Sequence, residues 1–124
     1  MVIRVEPYGR DVVIFTNMKT LVEDSAFVFG VDVLEPHSVD ENTLGLAFVA
    51  SVEEDATYCI GFNGDKYREE TIWHEALHTT VDVLNYHGVQ FTSDNHEPFA
   101  YTQGYLVSQI RNKVYGLPEF GYDD

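Results

Sequence analysis

The stretch of sequence that decides the fold is residues 66–88, which read KYREETIWHEALHTTVDVLNYHG. Apolar residues recur through it at helical spacing and fall on most sides of the helix that they predict, which is typical of a buried helix. Asp65 is the expected N-cap, and two glutamates follow early, where the helix dipole favours negative charge. Because Gly88 suits the left-handed position that ends a helix, we predict a helix from about Lys66 to Tyr86.

Strands and a second helix flank this central helix. Four runs rich in β-branched and aromatic residues predict strands, the first two joined by a turn and the last two paired antiparallel: Val2 to Val5, Asp11 to Phe15, Thr43 to Val52 and Thr57 to Phe62. A second helix is expected from near Asp94 or Glu97 to about Tyr115, where Gly116 stops it. Between the strand pairs, Lys19 to Phe29 predicts a short helix, with a strand as the alternative, and Val31 to Asn42 reads as a loop.

The order of these elements predicts one α+β domain over residues 1–116, with a flexible acidic tail at 117–124. Its sheet is expected to be short, mostly antiparallel and packed on the two helices. The apolar fraction of 44% is enough for a compact core. Cys59 is the only cysteine, which excludes an internal disulfide. Its apolar neighbours indicate that it serves as a small buried hydrophobic residue.

The charge of the chain restricts its partners. Seven basic residues face 21 acidic ones, for a formal net charge of -14, so direct binding to nucleic acid or to anionic membranes is disfavoured. Such charge favours solubility, but it also suits a basic protein partner, as in a DNA mimic. With no secretory signal at Met1 to Pro7 and no apolar run of membrane-spanning length, we expect a soluble, cytoplasmic protein.

The central helix carries His74-Glu75-Ala76-Leu77-His78, which matches the pattern H-E-x-x-H. Residues i and i+4 lie one turn apart on one helix face, so both imidazoles can bind one zinc ion. Glu75 projects beside them and can take a proton from a zinc-bound water, whose pKa falls to roughly 7. On a buried helix these three side chains need partners, and metal binding would provide them. The alternative is that the histidines are solvated or bonded to carbonyl groups.

A catalytic zinc site needs a third protein ligand and an open position for water. The downstream candidates are His87, Asp94, His96 and Glu97. His87 lies nine residues beyond His78 on the same helix, too far along the axis to share a metal. A loop and a second helix that fold back over the motif can bring His96 or Glu97 into reach.

The motif together with Glu97-Pro98-Phe99-Ala100 resembles the gluzincin pattern of zincin-like metallopeptidases, H-E-x-x-H followed by E-x-x-A on a second helix. The outline from about Thr43 to Tyr115 is similar to that of small ImmA/IrrE-like metallopeptidases. This resemblance implies a zincin-like fold, zinc bound by His74, His78 and Glu97, and Glu75 as general base. A peptide or protein would then be the substrate.

Two features of the sequence compete with this assignment of Glu97. Pro98 disfavours a mid-helix conformation for the residue before it, which would move Glu97 to the helix start. Asp94 to Glu97 also resembles a capping box, in which the glutamate bonds to the Asp94 amide instead of a metal. At the level of function, the alternative to a metallohydrolase is a non-enzymatic acidic binding protein, either a DNA mimic or an assembly factor, on the same fold.

Overall fold

A computed structural model describes residues 1–16, 44–52, 55–63 and 68–120. The short helix predicted at Lys19 to Phe29 and the loop predicted at Val31 to Asn42 lie outside these residues. Within them the chain forms a small α+β structure, as the sequence predicts, in which a four-stranded mixed sheet packs on two helices.

The sheet has the strand order β1-β2-β4-β3 and consists of two antiparallel hairpins joined side by side. Its strands are β1 (Val2–Val5), β2 (Arg10–Phe15), β3 (Gly45–Val52) and β4 (Asp55–Phe62). The predicted antiparallel pairing of β3 with β4 is confirmed, β1 and β2 also pair antiparallel across their predicted turn, and β2 and β4 run parallel. The hairpin strands β3 and β4 pair residue for residue from Gly45 with Phe62 to Val52 with Asp55, which leaves β3 as an edge strand.

The two helices are α1 (Glu69–Tyr86) and α2 (Glu97–Tyr115). The predicted C-terminal boundaries are confirmed, because Gly88 and Gly116 take the positive φ angles of 78° and 68° that a side chain disfavours. α1 packs on β3 and β4, whereas α2 packs on β1 and along α1.

The predicted start of α1 is wrong. Its N-cap is Arg68, in an extended conformation, rather than Asp65, which lies outside the described residues. The dipole attraction explains the later start, since it fades beyond the first turn. A helix capped by Arg68 holds Glu69 and Glu70 within that first turn. A helix capped by Asp65 would have moved both carboxylates into its second turn.

One hydrophobic core lies between the sheet and the helices, and alternate residues of the strands form the part of the core on the sheet side. Its fully buried side chains include Ile3, Val12, Tyr58, Ile60 and Phe62 from the strands and Ile72, Ala76, Val83, Leu106 and Ile110 from the helices. Cys59 is also buried, as expected, and burial raises the pKa of its thiol to about 12.

The first residues of the predicted tail lie against the helices. The Phe120 ring stacks on Trp73 with 5.8 Å between ring centroids, and its amide donates to Ser108 Oγ at 2.8 Å. Residues 121–124 lie outside the described part of the chain. Among the described residues, neither helix is long and apolar enough to cross a membrane.

Candidate metal centre

His74 and His78 project from the same face of α1, and their Nε2 atoms lie 3.2 Å apart. Two nitrogens bound at about 2.05 Å to one tetrahedral zinc ion lie roughly 3.3 Å apart, so the observed distance fits a shared metal. It also fits a hydrogen bond in the metal-free protein, with one ring donating and the other accepting. In either state the two rings converge on one point, as their i, i+4 spacing predicts.

The expectation that the two histidines are buried is wrong. The His74 side chain is 67% exposed, and His78 is exposed as well. Trp73 and Leu77 on the same helix are also exposed, so the apolar residues do not bury α1 on all sides. The reason is that the sheet and α2 cover only part of the helix circumference. The pair therefore faces solvent, which keeps it open to a metal and to a substrate.

Among the three polar residues of the motif only Glu75 is buried, with 7% of its surface exposed. Its Oε1 lies 3.8 Å from His74 Nε2, beside the point on which the two rings converge. Burial raises the pKa of the Glu75 carboxyl above its usual range, while the nearby His74 and His78 rings act in the opposite direction. A carboxyl group with a raised pKa is a more effective base near neutral pH than an exposed one.

A cleft of about 440 Å³ opens beside the motif. Its walls are the start of edge strand β3 and one side of α1, and its lining residues are Leu44, Gly45, Glu70, Thr71, His74 and Glu75. The general-base candidate and one predicted ligand therefore face the same open space. Among the strands that the structure describes, β3 pairs only with β4.

Gly45 permits the close contact between β3 and α1. A Cβ atom at this position would lie 2.7 Å from Thr71 Cγ2 and 3.0 Å from Glu75 Cγ. Neither distance leaves room for a side chain. Because Gly45 has no side chain, the edge strand can pack directly against the methylene groups of Glu75.

We expect Gly45→Ala to destabilise the fold by about 1–3 kcal/mol, the usual cost of inserting a carbon into a packed contact. Thr71→Ser removes the methyl group in closest conflict, so the double variant should recover part of this loss. Urea unfolding midpoints of the parent, both single variants and the double variant test this coupling. Equal midpoints for Gly45→Ala and the parent would contradict the tight contact.

Glu97 is the first residue of α2, and Pro98 follows it within the first turn, as the sequence predicts. The capping-box alternative is wrong, because the N-cap is His96 rather than Asp94 and no side chain caps the helix. The αR conformation of His96 already lets its carbonyl accept from the amides of Phe99 and Ala100. The exposed Glu97 carboxylate makes no hydrogen bond or ion pair with the described residues, so it is available to a ligand.

The two helices run antiparallel. Arg111 near the end of α2 pairs with Glu69 at the start of α1 at 3.1 Å, and Gln103 donates to the Trp73 carbonyl at 3.3 Å. From the Gln103–Trp73 contact, Glu97 lies six residues, or about 9 Å, along α2, and His78 lies five residues, or about 7.5 Å, along α1. Glu97 is thus at the His78 end of the pair along the axis.

The structure does not group Glu97 with the two histidines. Over residues 1–16, 44–52, 55–63 and 68–120, no three His, Cys, Asp or Glu side chains are arranged to hold a metal ion. The described donors therefore provide two converging imidazoles and one adjacent buried carboxylate. The third ligand stays a prediction.

Sequence reasoning missed the cleft-lining residues Leu44, Gly45 and Thr71. Leu44 and Gly45 carry no functional group, and Thr71 is one of several ordinary helix residues, so no motif marks them.

The sequence matches no protein-family model, and comparisons with characterised proteins and with solved structures found no similar protein.

Proposed function

We propose that this protein is a zinc-dependent hydrolase that cleaves peptide bonds. The observation that supports it best is the convergence of His74 and His78, with Nε2 atoms 3.2 Å apart, beside the buried carboxylate of Glu75. We assign His74, His78 and Glu97 as zinc ligands and Glu75 as general base. On this proposal the small α+β domain is a minimal relative of the zincin-like metallopeptidases of gluzincin type.

In the proposed reaction zinc supplies Lewis acidity, which polarises a carbonyl group and makes a water molecule more acidic. Glu75 accepts the proton of the attacking water and then donates it to the nitrogen of the leaving amine. Because Glu75 lies between β3 and α1, its methylene groups are shielded from bulk water. Burial raises the pKa of the Glu75 carboxyl, and the nearby histidines oppose that rise.

A peptide substrate is favoured by the edge strand. One edge of β3 pairs with none of the described strands, and the strand begins at the cleft beside Glu75. An extended peptide that pairs with such an edge gains main-chain hydrogen bonds along its length, whatever its side chains are. This pairing would direct a scissile bond towards the motif.

The direct test of this proposal is metal content. Protein made without an affinity tag should carry about one zinc ion per chain by elemental analysis, because the two imidazoles already converge. His78→Ala should abolish stoichiometric zinc, and His87→Ala, on the same helix but beyond the site, is the matched control that should retain it. Zinc well below stoichiometric in the parent, with no uptake when zinc is added, would refute the assignment.

The second candidate is an acidic binding protein without catalysis, a DNA mimic or an assembly factor with a basic partner. The net charge of -14 favours it. The buried Glu75 carboxylate disfavours it, since a purely structural metal site has no need of a base. Stoichiometric zinc without hydrolysis of any member of a broad peptide library would support this candidate instead.

A further inference from the structure

Arg10 differs from the other arginines that the structure describes, because it has no carboxylate partner. The others form ion pairs: Arg4 with Glu6 and Asp11, Arg68 with Glu70, and Arg111 with Glu69. No described carboxylate lies within ion-pair distance of Arg10. In a chain with 21 acidic and seven basic residues, such a guanidinium is unexpected.

Two rings hold the Arg10 side chain in a fixed position. Its guanidinium carbon lies 4.4 Å from the centroid of the Tyr86 ring, and its Nε donates to His87 Nε2 at 3.3 Å. The Tyr8 ring packs against the His87 ring, with centroids 5.2 Å apart. The terminal Nη groups of Arg10 bond to none of the described residues.

We propose that Arg10 binds a carboxylate group of a peptide ligand. The planar fork of a guanidinium matches the two oxygens of a carboxylate, and the stack on Tyr86 pre-organises that fork. The net charge of -14 repels a doubly charged phosphate more strongly than a singly charged carboxylate.

The site lies at one end of a stripe that begins at the histidine pair. His74, His78, Asp82 and Tyr86 follow one another at intervals of four residues along α1. From His78 to Tyr86 the helix rises about 12 Å, which three to four residues of an extended peptide span. A carboxylate at Arg10 would therefore lie three to four residues from a bond at the histidines. This last step rests on the proposed function, whereas carboxylate binding does not.

The test compares the affinities of three acetylated hexa-alanine peptides by titration calorimetry with the full chain carrying Glu75→Gln, so that no peptide is consumed. The first peptide ends in a free carboxylate, the second in an amide, and the third in an amide after a final aspartate. We expect the free acid to bind about tenfold more tightly than the plain amide. Adding Arg10→Gln should reduce this ratio to about one. Adding Arg4→Gln instead is the matched control and should leave the ratio unchanged.

The third peptide distinguishes two sources of the carboxylate: tight binding points to acidic side chains, and weak binding points to chain termini. The ratio of the affinities of the free-acid and plain amide peptides is measured without an Arg10 variant. It therefore still tests the proposal if Arg10→Gln does not fold. A ratio near one, no binding of any peptide, or a ratio that survives Arg10→Gln overturns the proposal. Hydrolysis by the parent is measured in parallel. Cleavage with a ratio near one overturns only the carboxylate site, and a high ratio without cleavage overturns only the hydrolase.

Discussion

Replacing Glu75 with glutamine should lower peptide hydrolysis by about 10²–10⁴-fold, the usual contribution of a positioned general base. Glutamine keeps the size of the side chain in the tight space beside Gly45 and Thr71, but it cannot accept a proton. The histidines are unchanged, so zinc content should remain at the parental level. Hydrolysis rates and elemental analysis of parent and variant test this expectation together. A variant that cleaves as fast as the parent would refute the role of Glu75.

The same substitution should stabilise the metal-free fold near neutral pH, which separates a chemical effect from misfolding. Burial raises the folded-state pKa of Glu75, so its contribution to the free energy of unfolding is fully present below the unfolded pKa and is lost as pH rises through the folded pKa. Glutamine does not ionise and has no such loss. With chelator present, Glu75→Gln should unfold at a higher temperature than the parent at pH 7 to 8. The difference should shrink towards about pH 4.

Local signals in the sequence predicted the strands and the C-terminal ends of both helices, because each depends on residues close in the chain. Gly88 and Gly116 end their helices through backbone conformations that only nearby residues influence. The parallel pairing of β2 with β4 was not predictable in this way. It joins two hairpins that are distant in the sequence, and neither strand carries a residue that specifies its neighbour.

In the candidate site too, some features follow from local sequence and others depend on contacts between distant segments. The convergence of His74 and His78 follows from helix geometry alone, so the spacing in the sequence predicts it. The burial of Glu75 depends on Gly45, which lies thirty residues earlier and belongs to the sheet. The position of Arg10, away from every described carboxylate, depends on contacts between β2 and the end of α1. Contacts between distant segments thus decide what the motif alone leaves open.

The third zinc ligand depends both on the local sequence pattern and on how the two helices pack. We expect it to be Glu97. Glu97 starts α2 at about the level of His78, its carboxylate is free of the capping bonds predicted as an alternative, and its negative charge would offset the zinc dication. The competing ligand His96 is the N-cap, and its ring lies 6.2 Å from that of Phe91. The aromatic contact favours a packing role for His96.

Single alanine substitutions distinguish the two residues, with zinc affinity measured by competition against a chelator. Glu97→Ala should weaken zinc binding by more than the roughly 10- to 100-fold that loss of an outer-shell partner costs, because it removes a direct ligand. His96→Ala should have little effect on affinity, and it is the natural control because it changes the adjacent residue at the same helix start. The opposite order would make His96 the ligand. Small, equal losses would exclude both and would direct the search to residues 17–43, where Glu23, Asp24, Asp32, Glu35, His37, Asp40 and Glu41 carry suitable side chains.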